Sequence, residues 1–389
     1  MTADETHTAG AATSDDEPTE RGSGDVAEAA GAERGEQPAA DSVLVVADHP
    51  NVGKIERHYG PLADVVGETT MVCIQGDRSV EGISFVEVPA PGHRLLGLPF
   101  LLLVGLLEAV RGEYDAVVSI SLVPYGLFAL LTGWLTATPV HLGIIGADID
   151  SHARAWYGML PRAAFRRFDS VSVPGTTHVD RLVEAGVDPA RVSVLTNAID
   201  TAEYRPAVAA EPEFDFVWVG RFSKEKAPLR FVEALAELDS RGRQFSAVML
   251  GDGDRMPEVR REVDRRALSD RVALPGWVDT PVTYYRRARV FVLTSRRDAL
   301  PLTLVETMAT GLVPVVPPVG SVTDVAEHEF NAIVVEDRRA TTLADGMERL
   351  LEDSELHERL AEQAPEVRET YSYAAARTDW REILGVLGA

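Results

Sequence analysis

Short apolar runs alternate along this chain with longer segments in which apolar residues recur at helical spacing. The runs predict buried strands, and the segments between them predict helices. The predicted strands are residues 42–47, 70–75, 83–88, 116–120, 140–145, 170–173, 192–195, 214–220, 247–251, 271–274, 290–293, 314–316 and 332–335. Because strands and helices alternate, we expect parallel, doubly wound sheets with helices on both faces. The fold class is therefore α/β.

Two changes of composition divide the chain. Residues 1–40 contain ten acids, two arginines and almost no large apolar residues, so they cannot bury enough surface to offset the entropy of ordering. We predict a disordered acidic tail there. A linker at 207–213 separates two α/β halves, which we predict as Rossmann-like domains over 41–206 and 207–372, with a C-terminal helix in 373–389.

The chain is strongly acidic, with a net charge of −23, and only three of its 38 basic residues are lysines. An excess of acidic side chains suits solvation in concentrated salt, so we expect a halophilic protein; a GC-rich coding sequence is the competing explanation for the arginine bias. We expect no nucleic-acid partner, because phosphate contacts need a basic surface. The single cysteine, Cys73, excludes an internal disulfide and favours a reducing, cytoplasmic location.

One apolar segment leaves two interpretations open. Residues 93–111 are mostly apolar and are interrupted by Pro99, but they are too short to span a bilayer, and we expect no secretory signal at the N-terminus. The segment is either a helix that covers the core or a helix that lies in a membrane interface. An arginine-rich stretch at 154–167 is likewise either a solvated helix face or a contact for an anionic acceptor or phospholipid.

Candidate chemistry is concentrated in the stretch VFVLTSRRDALPLTLVETMATGLVPVV, residues 290–316. It predicts a strand, a polar loop, a helix at 302–310 that ends at Gly311, and a second strand. Asp298 lies in the loop, and Glu306 lies one turn into the helix. Free N–H groups at a helix N-terminus suit a phosphate, and an acid just inside that helix can reach a ribose hydroxyl. We therefore predict a site for a nucleoside diphosphate with a group attached to it.

A second cluster follows the first strand of the second half. Gly220 ends this strand, and Arg221 and Lys226 come before the next predicted helix. Two cations in that position suit a diphosphate. Gly251 and Gly253 follow the next strand, where the lack of a side chain lets the backbone approach a ligand closely.

The first half carries weaker signals. Gly53 and Lys54 belong to a predicted loop at the C-terminal edge of the first sheet, where ligands bind in such folds. His58 is interpreted as part of a polar helix face. D-x-D sequences at 148–150 and 252–254 imitate a metal-binding motif, but carboxylates at this spacing are common by chance, and no metal site is predicted.

Together these residues resemble the retaining GT-B glycosyltransferases of the GT4 family. Asp298 and Glu306 match its E-x7-E motif, within the text S-x-x-D-A-L-P-L-T-L-V-E-T-M-A-T-G. G-R-F-S-K-E-K at 220–226 matches its phosphate-clamping motif G-R-x-x-x-x-K. T-N-A-I-D at 196–200 resembles the P-N-G-I-D run that ends the first domain in this family.

Ala198 replaces the glycine of the P-N-G-I-D run, and three further positions depart from the family's pattern. Ile145 stands at the histidine of its H-G-x-D motif, whose acid is Asp148. Lys54 replaces the second of two glycines. Asp298 replaces a glutamate and is one methylene shorter, which leaves its reach toward the sugar open.

The resemblance implies a GT-B fold, in which two Rossmann-like domains face each other across a cleft and the last helix crosses back to the first domain. It implies a transferase that moves a sugar, with retention, from a nucleotide-diphosphate sugar to a hydroxyl acceptor. It implies no cofactor and no metal. The acceptor would enter beside Gly53, Lys54 and Asp148. A lipid-linked acceptor, a cell-surface glycan precursor and peripheral membrane contact stay open.

The resemblance also assigns roles to individual residues. Arg221 and Lys226 would stabilise the charge on the leaving diphosphate, Glu306 would hold the ribose, and Asp298 would hold the donor sugar. Trp277 lies beside the nucleotide base and either stacks on it or packs in the core. The remaining donor contacts would come from Gly220, Gly251, Gly253, Val278, Leu300, Pro301, Leu302 and Thr303.

Three other functions stay open at this point. An epimerase or a phosphorylase can use the same two-domain fold, although no lysine is placed for a pyridoxal Schiff base. A non-catalytic protein that binds nucleotide sugars is favoured a little by the three departures. A membrane-surface scaffold would use residues 93–111 and the arginine-rich stretch.

Overall fold

The computed structural model describes residues 37–49, 51–76, 78–144, 159–206 and 212–388. Most of the predicted acidic tail, most of the predicted linker, Ile145 and Asp148 lie outside these residues. The predicted end of the tail at residue 40 is too late, because Ala40 already begins the first strand. From Ala39 onward the chain forms one compact unit that contains two parallel sheets.

The first sheet is built from the first half of the chain. Its strands are Ala40–Val46 (β1), Val66–Ile74 (β2), Ile83–Val88 (β3), Ala116–Ile120 (β4), Val140–Gly143 (β5), Ser170–Val173 (β6) and Val192–Val194 (β7). Its helices are Val52–Ala63 (α1), Leu98–Arg111 (α2), Leu127–Thr136 (α3), Met159–Phe165 (α4) and Thr176–Glu184 (α5). The strand order is β3-β2-β1-β4-β5-β6-β7, and neighbouring strands are parallel.

The second sheet repeats this architecture. Its strands are Phe214–Val219 (β8), Ala247–Leu250 (β9), Val272–Gly276 (β10), Ala288–Val292 (β11), Val313–Val316 (β12) and Ile333–Val334 (β13). The helices are Pro228–Ser240 (α6), Met256–Arg265 (α7), Val282–Tyr285 (α8), Leu302–Ala309 (α9), Ala340–Glu352 (α10), Ser354–Gln363 (α11), Val367–Thr370 (α12) and Tyr373–Leu387 (α13). The strands are parallel in the order β10-β9-β8-β11-β12-β13.

Both faces of each sheet are buried, which explains why the strands read as continuous apolar runs. Along β1, Val43 and Val45 enter one core cluster, while Leu44 and Val46 enter the cluster on the other face. The predicted α/β fold of two doubly wound sheets is confirmed.

The last helix packs on the first sheet rather than on the second. Trp380, Ile383 and Leu384 of α13 are buried in the same cluster as β1. The Trp380 ring meets the ring of His141 edge-on, at 5.3 Å between centroids. Burial lowers the pKa of His141 to about 3, and its Nε2 lies 3.0 Å from the Ser172 hydroxyl. His141 is therefore a neutral, hydrogen-bonded core residue.

Helix α1 begins earlier than the sequence predicts. The Asn51 side chain accepts a hydrogen bond from the Lys54 N–H at 3.2 Å and so caps the helix, which starts at Val52. The prediction that Gly53 and Lys54 lie in a loop is therefore wrong, because both lie in the first turn of α1.

The apolar segment 93–111 is divided in two. A short 3₁₀ turn, Arg94–Gly97, precedes α2, and Pro99 lies in the first turn of α2. Proline fits this position because the first helical N–H groups have no partner within the helix. The break predicted at Pro99 is thus a helix start. No helix among the described residues is long and apolar enough to cross a membrane.

Candidate active site

The loops that follow β8 and β11 meet at the C-terminal edge of the second sheet. These strands are neighbours, so their following loops are brought side by side. Lys226 from the first loop forms an ion pair with Asp298 from the second. Ser295 donates a further hydrogen bond to Asp298 at 3.2 Å. The structure thus joins two residues that lie 72 positions apart in the sequence.

A buried chain of hydrogen bonds holds these two loops together. Trp218 Nε1 donates to the Thr294 hydroxyl, which in turn donates to the Lys226 carbonyl, each at 2.8 Å. The Arg296 N–H donates to the Glu225 carbonyl at 2.7 Å. These hydrogen bonds therefore fix the backbone of both loops that carry the Lys226–Asp298 pair.

Arg221 lies on the same loop as Lys226 but has a different environment. Its side chain is exposed, and within the described ranges it makes no ion pair with a carboxylate. A ligand can therefore meet it without displacing a protein partner.

The glycines of this site allow loops to approach one another. A Cβ on Gly251, whose φ is +121°, would lie 2.1 Å from the Gly220 carbonyl oxygen. A Cβ on Gly253 would lie 2.6 Å from the Phe222 carbonyl oxygen. The sequence suggested that these glycines make room for a ligand, whereas their immediate neighbours are the backbone of the Arg221 loop.

Helix α9 presents its N-terminus beside Asp298. It begins after Pro301, and no side chain caps it. The Leu304 N–H donates a hydrogen bond to the Pro301 carbonyl at 3.0 Å. The preceding N–H groups, those of Leu302 and Thr303, have no acceptor within the helix and point out of its N-terminus. This is the arrangement that the sequence predicted for a phosphate-binding helix N-terminus.

Glu306 lies in the second turn of α9 and is 6% exposed. The Tyr285 hydroxyl donates a hydrogen bond to its Oε2 at 3.2 Å. Burial raises the pKa of the Glu306 carboxyl, and the positive charge of Arg57 on α1 acts in the opposite direction. Because Arg57 belongs to the first domain, Glu306 lies where the two domains approach each other.

Gly320 is a site residue that the sequence did not reveal. Its φ is +60°, and a Cβ there would lie 2.0 Å from the Asp298 carbonyl oxygen. The next residue, Ser321, donates its N–H to the Ala299 carbonyl at 2.7 Å. This contact supports the loop that carries Asp298 from the side of β12.

The two domains touch directly at this same segment. Asp324 accepts hydrogen bonds from the Thr176 N–H at 2.6 Å and from the Thr176 hydroxyl at 2.7 Å. The Thr177 hydroxyl donates to the Gly320 carbonyl at 3.1 Å. The start of α5 in the first domain is therefore fastened to the segment that supports the Asp298 loop.

The Trp277 side chain is 74% exposed. Its Nε1 donates to Asp279 at 3.1 Å. The alternative of a packed core tryptophan is therefore wrong, and the ring is free to stack on a ligand. Val278 is half-buried against the core on the α9 side of the sheet.

The first domain contributes His58 and Asn197 to a cavity of about 30 Å³ at the ends of its strands. Burial lowers the pKa of His58 to about 3, so the ring is neutral. The sequence suggested a polar helix face for His58, whereas the residue lines this cavity together with strand ends from distant parts of the sequence. Gly53 and Lys54 are exposed on α1.

Among the described residues, no group of three or more His, Cys, Asp or Glu side chains is placed to hold a metal ion. Asp252 accepts a hydrogen bond from the Gly253 N–H at 2.7 Å and so belongs to its own turn. The D-x-D sequence at 148–150 lies outside these residues.

The sequence and the fold match known protein families. Residues 200–367 match the family model for glycosyl transferases group 1, and residues 32–198 match the model for a glycosyl transferase 4-like domain. A crystal structure of HepE from Anabaena in complex with UDP superposes with a TM-score of 0.72 at 16% identity, over 87% of this chain and 97% of that chain. The fold is therefore that of the GT-B glycosyltransferases.

Curated relatives carry the comparison further. An alpha-D-kanosaminyltransferase of Streptomyces kanamyceticus is 34% identical over 45% of this chain and 46% of its own length. A GDP-mannose:cellobiosyl-diphosphopolyprenol alpha-mannosyltransferase of Xanthomonas campestris is 25% identical over 59% of this chain and 60% of its own. The match thus spans roughly half the length of these relatives. The chain belongs to the group 1 glycosyl transferases, of GT4 type.

Proposed function

We propose that this protein is a retaining glycosyltransferase that moves a sugar from a nucleotide-diphosphate sugar to a hydroxyl acceptor. The observation that carries the proposal is the Lys226–Asp298 pair beside the uncapped N-terminus of α9, with Glu306 one turn further along that helix. Cations, helix N–H groups and two carboxylates are the groups that a sugar joined to a nucleoside diphosphate requires.

The donor diphosphate lies between Arg221, Lys226 and the first N–H groups of α9. When the bond between the anomeric carbon and the phosphate oxygen breaks, negative charge grows on the leaving diphosphate, and these fixed donors stabilise it. The acceptor oxygen forms its bond on the same face of the sugar, and its proton passes to the leaving phosphate oxygen. The protein cations supply the positive charge, so the reaction as proposed needs no metal.

The carboxylates orient the donor. Lys226 and Ser295 hold Asp298 in position, and Asp298 accepts hydrogen bonds from hydroxyls of the sugar. Glu306 accepts from the ribose, and Trp277 stacks on the base. The base itself is left to experiment, because HepE was crystallised with UDP and the Xanthomonas relative is named for GDP-mannose.

A lipid-linked acceptor is supported by the relatives and by the surface of the first domain. The Xanthomonas relative is named for a diphosphopolyprenol acceptor. Helices α2 and α3, with the turns before them, pack side by side and expose a broad apolar surface. The exposed residues, which we call the apolar face, are Leu95, Leu96, Phe100, Leu103, Leu107, Val110, Val123, Leu127, Leu131, Trp134 and Leu135.

The apolar face has the chemistry of a membrane contact. A groove of about 670 Å³ runs along α3, and it is lined by Leu131, Trp134 and Arg167. Arg162 and Arg166 lie on the neighbouring helix α4 and its C-terminal turn. Apolar side chains that enter the lipid interface, beside arginines that meet anionic head groups, stabilise peripheral binding. We therefore propose a cytoplasmic protein that works at the inner face of the membrane.

A calorimetric titration tests the catalytic proposal. UDP, GDP, ADP and their common sugar conjugates are titrated into the protein in concentrated KCl with a chelator present. Binding of one nucleotide that is lost in Arg221→Ala, and transfer activity that is lost in Glu306→Ala, are the expected results. Full transfer activity in Glu306→Ala would overturn the assignment. The relatives named above are transferases, which supports transfer over epimerisation or binding alone.

A further inference from the structure

A second cluster of cations lines a separate cavity in the second domain. The cavity measures about 240 Å³, and the charged residues that line it are Lys224, Arg230, Glu233, Arg255, Arg296 and Arg338. We call it the basic cavity. Five cations face one carboxylate there, in a chain whose net charge is −23. The cavity is therefore positively charged although the chain as a whole is strongly negative.

Part of this positive charge is not neutralised by the protein. Arg230 pairs with Glu233 at 2.8 Å, and Arg255 pairs with Glu258 at 3.0 Å. Arg296 and Arg338 make no ion pair or side-chain hydrogen bond with any residue that the structure describes, while Lys224 interacts electrostatically with the adjacent Glu225. Cations held together without partners repel one another, so a bound anion would stabilise the arrangement.

The basic cavity is distinct from the region of the proposed active site that binds the donor diphosphate. Its walls come from the starts of α6 and α7, from the segment before α10, and from the loops after β8 and β11, which contribute Lys224 and Arg296. Helices α6, α7 and α10 pack on one face of the second sheet. Helix α9, which presents Glu306, packs on the other face. The loops that carry Lys226 and Asp298 therefore separate the two places.

We propose that the basic cavity binds a second anion, a phosphate or diphosphate group of a small phosphorylated molecule. Arginine guanidinium groups bind phosphate through paired hydrogen bonds, and Arg296 and Arg338 are free to do so. The start of α6, which no side chain caps, adds one N–H group, that of Leu229, because Pro228 has none and the Arg230 N–H donates to the Ala227 carbonyl. This inference does not depend on sugar transfer, because it uses none of the residues assigned to the donor.

An anion bound in the basic cavity would also affect the active site. The Arg296 N–H is bonded to the Glu225 carbonyl at 2.7 Å, and Asp298 follows two residues later. An anion that holds the Arg296 side chain would therefore restrain the segment that positions Asp298.

Calorimetry with inorganic pyrophosphate tests the site in the full chain. The background variant is Arg221→Gln, which weakens diphosphate binding in the proposed active site. We compare it with the same background carrying Arg296→Gln and Arg338→Gln. A matched control carries Arg191→Gln and Arg261→Gln, which remove two exposed arginines elsewhere and change the net charge equally.

We expect pyrophosphate to bind the background and the matched control alike, and to bind about tenfold or more weakly once Arg296 and Arg338 are replaced. Thermal unfolding of each variant checks that the fold is intact. Absence of pyrophosphate binding in the Arg221→Gln background overturns the proposal. Equal weakening in both pairs of substitutions overturns it as well, because the effect would then be one of net charge.

Discussion

The hydroxyl of Tyr285 donates a hydrogen bond to Oε2 of Glu306 at 3.2 Å, and both side chains are buried. Tyr285 comes from α8 and Glu306 from α9, so two helices on the same face of the second sheet converge on one carboxylate. A single neutral donor does not compensate for the loss of water, which is why burial raises the pKa of Glu306. The site thus holds an acid whose ionised form accepts one hydrogen bond, from Tyr285, until a ligand supplies more.

Replacing Glu306 by Gln is expected to stabilise the protein at neutral pH while weakening nucleotide binding. The folded state holds the Glu306 proton more tightly than the unfolded state, so this contribution is complete below the unfolded pKa and is lost as pH rises through the folded pKa. The variant should therefore match the wild type near pH 4 and exceed it near pH 7 by on the order of 1 kcal/mol. Chemical unfolding at both pH values measures this difference.

The control for that experiment is Glu382→Gln, which replaces an exposed glutamate on α13. Its free energy of unfolding, relative to the wild type, should change little between the two pH values. If Glu306→Gln shows the same small change, burial of Glu306 is not a source of instability.

Lys226→Met should weaken the binding of the nucleoside diphosphate by about 10- to 100-fold, because a charge-assisted contact to phosphate is worth roughly 1.5–3 kcal/mol. Lys224→Met is the matched control, since Lys224 lies on the same loop but lines the basic cavity. Calorimetric titration of both variants with UDP and GDP makes the comparison. Equal losses in the two variants would show that loop charge, rather than the position of Lys226, governs binding.

The strands and most helices followed from local sequence pattern. The predicted bounds of β3 and the start of α13 at Tyr373 agree with the structure, and the helix predicted after Lys226 begins at Pro228. Each is set by residues within one element: an apolar run, an amphipathic period or a proline at the first helical position. The start of α1 was missed because Gly53 suggested a loop, whereas the Asn51 side chain caps the helix there.

The contacts of the site could not be read in the same way. The sequence places Asp298 and Lys226 in separate loops, and their pairing is known only once β8 and β11 are neighbours. Gly320 is distant from Asp298 in sequence, and Tyr285 reaches Glu306 from another helix. Motif spacing predicts which residues carry chemistry, but their partners depend on the order of strands in the sheet.

Gly320→Ala should destabilise the protein and disturb the donor site together. The new Cβ would lie 2.0 Å from the Asp298 carbonyl oxygen and would also occupy a left-handed backbone conformation. We expect a loss of about 2–4 kcal/mol in the free energy of unfolding. We also expect weaker UDP or GDP binding, because the displaced carbonyl belongs to Asp298.

Gly311→Ala separates backbone strain from the clash. Gly311 has a φ of +91°, but a Cβ there would meet Pro206 only at 3.9 Å. Its substitution should lower stability by about 1–2 kcal/mol and leave nucleotide binding unchanged. If Gly320→Ala binds nucleotide as well as Gly311→Ala does, the support given by Gly320 to the Asp298 loop is not required for donor binding.

Trp134→Ser should reduce the fraction of protein that floats with lipid vesicles. Trp134 is 76% exposed, and it lies in the apolar face beside the groove that Arg167 lines. Transfer of a tryptophan side chain into the lipid interface stabilises peripheral binding, and the neighbouring arginines add attraction to anionic head groups. The loss should therefore be seen with vesicles that contain anionic lipid.

Trp277→Ser provides a control of nearly equal exposure, since Trp277 is 74% exposed but belongs to the second domain. It removes the same side chain from the protein surface, so a general effect of hydrophobicity would lower flotation in both variants. We expect flotation to fall in Trp134→Ser alone, and nucleotide binding to fall in Trp277→Ser alone. Equal flotation of the wild type and Trp134→Ser would instead separate the apolar face from the membrane and leave the lipid-linked acceptor without a structural basis.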